Sequence, residues 1–376
     1  MRFSGYLDHN ATTPVRPEAA AAVADVLTMA GNPSSVHRFG REMRRRLEDA
    51  REQVAAVVGA MPAEIVFTSG GTEANALAIR GCGRPRVLVS AIEHASVLAA
   101  ASGAESIPVD GRGVLDCAAL EVMLSAGPTP ALVAVMLANN ETGVIQPVAE
   151  VTALARRHGA LVHCDAVQAA GKIPIDVGAL GVDFLSLSAH KLGGPAGCGA
   201  LFVRQGAPIT AELVGGGQER GRRAGTENLA GIAGFGVAAE MCTGSIAAAD
   251  RWALWRDDLE RRVTELAPAA RIFGAGAARL PNTSCLAMPG VASATQLMTF
   301  DLAGLAVSAG SACSSGKIAR SHVLEAMGVP GAEAASAIRV SLGWTTTTED
   351  VESFVRTWSA LYVRSGAGAS PAVPAA

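Results

Sequence analysis

Residues 160–203 read ALVHCDAVQAAGKIPIDVGALGVDFLSLSAHKLGGPAGCGALFV, and three short apolar runs stand out in them: Ala160–Asp165, Asp183–Ser188 and Cys198–Val203. Runs that are apolar almost without alternation suit strands covered on both faces, as in a parallel sheet. Working outward, similar runs recur at Glu64–Thr68, Arg86–Ser90, Glu105–Val109 and Ala131–Ala138. Helical stretches at about Thr72–Arg80, Ala95–Ala101, Asp116–Ser125 and Pro147–His158 lie between several of them. Strands alternating with helices predict an α/β domain on a mostly parallel sheet of seven strands. Only glycine-rich chain joins the last two runs, so one strand there is expected to run antiparallel.

Either side of this block the pattern differs. Ser35–Gly59 carries Phe39, Met43, Leu47, Ala50, Val54 and Val57 at helical spacing, with an Arg/Glu-rich opposite face, which predicts a surface helix packed through one stripe. Beyond about residue 246 a helix over Ala247–Leu266 leads into shorter strand-like runs at Ser284–Met288, Leu305–Ser308 and Ala337–Leu342, then terminal helices. The expected division is a large α/β domain over 15–246 and a smaller α+β domain made of 1–14 and 247–364. The Ser/Gly/Ala/Pro stretch 365–376 reads as a disordered tail.

Composition narrows the function classes. The 376 residues carry 31 Lys+Arg against 34 Asp+Glu, a net charge of −3 with no basic block, which argues against nucleic-acid binding. Nearly half the chain is hydrophobic, but much of that is alanine, and no run reaches the ~18 apolar residues of a spanning helix. The start, MRFSGYLDHNATTP, has no apolar core of a secretory signal, so a cytoplasmic protein off the membrane is expected. Seven scattered cysteines include no CxxC, and the seven histidines no HExxH, so neither a disulfide framework nor a metal site is indicated.

Four features carry chemistry, at strand ends or in the loops that follow, where an open α/β sheet places its ligand. Thr68-Ser-Gly-Gly-Thr-Glu73 joins a strand to a helix start whose free N–H groups favour an anion such as phosphate, although a plain βα turn with a threonine cap would look the same. Asp165 ends an apolar strand in His163-Cys-Asp-Ala-Val-Gln168, where a lone carboxylate needs a cation or donors, or serves as a helix cap. Lys191 follows a buried strand into a glycine-rich turn, a setting in which a lysine's pKa can fall far enough for Schiff-base chemistry. Cys313 differs from the other cysteines: it lies among small residues in a loop expected to be mobile, with Lys317 four positions on, the surroundings of a reactive thiolate. An acid, a lysine and a phosphate turn together suggest pyridoxal phosphate.

The chain resembles the cysteine desulfurases of the NifS/IscS type, in the class V aminotransferase-like group of fold-type I pyridoxal-phosphate enzymes. Ten motifs stand in the family's order: YLDHNATTP, GNPSSVHRFG, IVFTSGGTEANALAI, EHASVL, ANNETGVIQP, HCDAVQAAGKIPID, SAHKLGGPAGCGAL, GGGQERGRRAGTEN, SAGSACSSG and IRVSLG. The resemblance implies that Lys191 binds the cofactor's aldehyde, Asp165 its ring nitrogen and Gln168 its 3-hydroxyl, while His94 stacks on the ring and assists proton transfer. It implies that Gly71, Thr72, Ser188 and His190 hold the phosphate, with Thr226 reaching it from the partner subunit of a homodimer, and that Asn140 also contacts the cofactor. Asn32 and Arg339 would bind the substrate carboxylate, and Cys313 would carry the sulfur as a persulfide.

The implied reaction converts L-cysteine to L-alanine, with sulfur passed to an iron–sulfur scaffold or another acceptor protein. No metal site is implied beyond passing contact of Cys313 with an acceptor's cluster. A selenocysteine lyase or an aminotransferase on the same scaffold is the alternative, and a mobile cysteine counts against the aminotransferase. Ala309 and Gln218 depart from residues common in relatives, away from the core chemistry. SACSSGK and the short C-terminal region resemble the nitrogen-fixation branch, which implies a nitrogenase-related supply.

Overall fold

The structure, a computed structural model, describes residues 3–127, 130–310 and 320–366. All seven expected strands form one sheet: β1 Ile65–Thr68, β2 Arg86–Ser90, β3 Glu105–Ile107, β4 Ala131–Met136, β5 Leu161–Asp165, β6 Phe184–Ser188 and β7 Gly199–Val203. Their order is β1-β7-β6-β5-β4-β2-β3. Strands β3, β2, β4, β5 and β6 run parallel, whereas β7 is antiparallel to both β6 and β1. The connection 189–198 holds a single 3₁₀ turn, too little for a parallel crossover, so the chain folds straight back.

Strand β4 shows why apolar runs were the right signal. Every residue of Ala131–Met136 is buried, and alternate side chains enter different cores: Val133 and Val135 on one face, Leu132 and Ala134 on the other. The first face is covered partly by helix Arg38–Val57, which buries Met43, Leu47, Ala50 and Val54. Phe39 departs from the expected stripe, being 54% exposed at the helix start. Helix Leu229–Ala247, absent from the sequence reading, packs against that helix and against helix Pro17–Leu27. Its alanines and glycines let backbones approach: a Cβ on Gly236 would lie 2.8 Å from Ala50 Cα.

A second sheet has the order β10-β9-β8, with β8 Arg271–Ile272, β9 Thr283–Ala287 and β10 Ala337–Ser341, all antiparallel. Its core joins Leu7 from the chain start to Trp252, Leu259 and Trp358, with Phe300 and Phe354 stacked at 4.8 Å between centroids. The expected strand Leu305–Ser308 does not form. Ala306 bridges Tyr6 and Ser308 bridges Arg339, so consecutive rungs go to different partners and no ladder builds. Tail residues 367–376 lie outside the described residues. Among the described residues no helix is long and apolar enough to cross a membrane, and no cluster could hold a metal ion.

Two histidines locked into this fold give a pH dependence. His163 on β5 is fully buried, its Nε2 2.9 Å from Ser186 Oγ, and burial lowers its pKa from 6.5 to about 4. His9 falls to about 3, through burial and then the nearby Lys172. Both are neutral when folded, so below pH 6.5 the unfolded chain binds more protons. Their contribution to stability is complete above that pH and declines as pH falls towards the folded values. The denaturant midpoint is expected to drop between pH 7.5 and pH 5, and to drop less in His163→Gln; equal drops in both proteins would refute this assignment (~2.5 pH units of span).

Candidate active site

The carboxyl ends of β4, β5 and β6 meet the amino end of helix Gly71–Gly81 around a cavity of about 250 Å³. Nine expected site residues line it: Gly71, Thr72, His94, Asn140, Asp165, Gln168, Ser188, His190 and Lys191. Asp165, the last residue of β5, is 6% exposed. Its Oδ1 accepts from Val167 N at 2.9 Å and its Oδ2 from Asn75 Nδ2 at 2.8 Å, so donors on both oxygens hold the buried carboxylate.

Lys191 ends the 3₁₀ turn after β6, and its Nζ donates to the carbonyls of Asn10 and Ala11. These acceptors come from the chain start, which crosses over the end of the sheet. His190 is half-buried, and burial followed by Lys191 lowers its pKa to about 4, so at neutral pH it offers an uncharged ring; Nδ1 lies 3.2 Å from Thr12 Oγ1. His94 caps helix Ala95–Ala100, its Nδ1 accepting from Ser96 N at 3.1 Å and lying 2.7 Å from Ser96 Oγ. The next residue inward, Glu93, is wholly buried; burial and then Asp165 hold its carboxyl well above the usual range.

Helix Gly71–Gly81 opens on Gly70, which offers no side-chain cap, so its first N–H groups are available to a cavity ligand. Gly71 keeps the floor low, since a Cβ there would sit 2.9 Å from Val167 Cγ2. Glu73 is turned away from the opening, accepting from Ser69 N at 2.7 Å and pairing with Arg223 at 2.8 Å. One amine, one buried carboxylate, an uncapped helix start and a buried Asn75 Oδ1 without a partner surround the same space. That donor set fits pyridoxal phosphate, whose aldehyde, pyridine nitrogen and phosphate need those groups.

The remaining expected residues lie elsewhere. Arg339 on β10 is 2% exposed, pairs with Asp8 at 2.8 Å and donates to Asn140 O at 3.0 Å, so it abuts the cavity wall and has a buried Nε without a partner. Asn32 is exposed, its side chain accepting from Ser34 N, and is not among the lining residues. Thr226 lines a separate cavity of about 120 Å³ with Ser69 and Arg223. Cys313 lies outside the described residues. The sequence reading missed Asn75, Asn10 and Lys172. Asn75 stands one turn after Thr72 on the same helix face, a spacing that could have revealed it.

The aminotransferase class-V family model matches residues 5–354. The chain is 48% identical to a cysteine desulfurase of Cereibacter sphaeroides, over 92% of each chain. It is 43% identical to a cysteine desulfurase of Klebsiella pneumoniae, over 94% of this chain and 91% of the relative. Among solved structures, a NifS-like protein from Rickettsia africae superposes with a TM-score of 0.89 at 37% identity, over 96% of this chain and 99% of the other.

Proposed function

The chain belongs to the aminotransferase class-V family and to its cysteine desulfurases, and from that premise we propose how its cavity works. The protein is a pyridoxal-phosphate-dependent cysteine desulfurase that turns L-cysteine into L-alanine and passes the sulfur on for iron–sulfur cluster assembly. The observation that carries this reading is the convergence of the Lys191 amine, the Asp165 carboxylate and the open helix start on one cavity.

Bound there, pyridoxal phosphate supplies a carbonyl for the substrate amine and a ring that draws electrons from the substrate Cα. Asp165, braced by Asn75, holds a proton at the ring nitrogen. The helix start with Thr72, Ser188 and His190 would hold the phosphate, Gln168 would donate to the ring hydroxyl, and Asn140 and His94 would contact the cofactor. Lys191 would bind the aldehyde and move the proton at the substrate Cα. Arg339 takes the substrate carboxylate, sharing its guanidinium between that anion and Asp8, with Asn32 as the second contact. The Cys313 thiolate attacks the substrate sulfur: a sulfur–sulfur bond forms, the Cβ–sulfur bond breaks, and its electron pair stays with the carbon skeleton that leaves as alanine.

Thr226 lies away from the cavity of its own chain, which supports a role across a homodimer interface. Leu27, Val36 and Phe39, which are 72%, 87% and 54% exposed, supply apolar surface for that contact. A cytoplasmic setting and delivery to an acceptor protein complete the proposal.

The test is product analysis with L-cysteine and a reductant. Alanine and sulfide are expected in equal amounts, with both about 100-fold lower in Cys313→Ser. Amino transfer to a keto acid without sulfide would overturn the reading. Full sulfide formation by Cys313→Ser would replace it with a lyase that has no need of that thiol.

A further inference from the structure

Lys172 stands four residues after Gln168, is 6% exposed, and does not line the cavity. Its Nζ donates to Gln168 Oε1 at 2.8 Å and to Asn10 Oδ1 at 2.8 Å. Gln168 Nε2 donates to the Asn10 carbonyl at 2.9 Å, the same carbonyl that accepts from Lys191. Asn10 is pinned in turn, its Nδ2 2.9 Å from Thr283 Oγ1 and its Oδ1 accepting from Asn282 at 3.2 Å. An amide side chain can present either end, but the hydrogens of Lys172 require an oxygen opposite them. The Gln168 oxygen is therefore committed to Lys172, and its nitrogen faces Asn10 with one hydrogen left for a cavity ligand.

We propose that Lys172 is a positioning residue for the reaction: it keeps an N–H of Gln168, rather than its oxygen, presented to the cavity. The inference rests on the functional reading above and extends it to a residue that touches neither substrate nor cofactor. The charged groups around Lys172 are Lys191 and Arg339, with His9 beside them. Burial first, then those two cations, keep the Lys172 ammonium well below its usual pKa. Whatever that charge, the Asn10 carbonyl only accepts, so the Gln168 nitrogen faces the carbonyl and its oxygen faces Lys172.

An N–H donated to the ring's acidic 3-hydroxyl oxygen would stabilise its anion and lower the proton affinity of the Lys191 nitrogen held at the neighbouring aldehyde carbon. The measurement is the pH midpoint of the visible absorbance band of the protein loaded with pyridoxal phosphate, in wild type, Lys172→Met, Gln168→Ala and the double variant. Lys172→Met is expected to raise the midpoint by roughly 0.5–1 unit, in the same direction as Gln168→Ala. The double variant should match Gln168→Ala alone, because Lys172 acts through that residue. Lys172→Gln, which keeps N–H donors, should recover part of the shift, and it stands in if the methionine variant does not fold. An unchanged midpoint in these variants, or shifts that add in the double variant, overturns the proposal. A wild-type band that survives in Lys191→Ala would instead overturn the functional reading, and this inference with it.

Discussion

Lys191→Ala is expected to lower alanine formation from L-cysteine by about 10⁴-fold, with the fold left intact. The size follows from the two duties proposed for one nitrogen, binding the cofactor aldehyde and moving the proton at the substrate Cα. No neighbour can take either over. Lys172 has its hydrogens committed to Gln168 and Asn10, and the His190 ring, its pKa lowered to about 4, already lies beside Thr12. Stability should change little, because Ala11 lines the cavity, where water can replace the lost donor, and the Asn10 carbonyl keeps the Gln168 N–H. The check pairs the product assay with a thermal melt. A variant that keeps a tenth of the activity would remove Lys191 from both roles.

The seven-stranded sheet was legible because a strand covered on both faces is written as an unbroken apolar run, and β4, β5 and β6 are such runs. Their ends made Asp165 and Lys191 conspicuous, since a charge directly after a buried strand is out of place unless the fold answers it. What answers it could not be read. Asn75 meets Asp165 across 90 residues of chain, and Lys172 meets Asn10 across 162, distances that no local pattern spans. Helix Leu229–Ala247 escaped for another reason: it is apolar nearly all round, so it has no stripe to betray its period. The short run 305–308 looked like a strand because burial and β-propensity are local, whereas a ladder needs one partner over successive residues.

The largest stability effect is expected away from the chemistry, at Glu219→Gln, with a loss of about 3–5 kcal/mol. Glu219 and Arg220 hold left-handed backbone angles, φ 47° and 57°, unusual for residues with side chains. The local cost is met by contacts: Glu219 is 6% exposed and grips Arg51 with both oxygens, at 2.7 and 2.9 Å, while accepting from Phe67 N at 2.9 Å. Arg51 is 3% exposed, lies over the Phe67 ring and donates to Ile65 O at 2.9 Å, so the pair clamps β1 to the loop 215–223. Neutralising Glu219 leaves that guanidinium with one carboxylate, Glu48 at 3.1 Å, in a nearly dry site. Removing both charges, in Arg51→Met with Glu219→Gln, should lose less than the sum of the single variants, since neither partner is then stranded. Because Arg223 in the same loop pairs with Glu73 in the first turn of helix Gly71–Gly81, Glu219→Gln should also weaken retention of pyridoxal phosphate. Denaturant unfolding and cofactor release measure the two effects. A single-variant loss below about 1 kcal/mol would show that the pair contributes no more than an exposed one, and that the strained loop is held by something else.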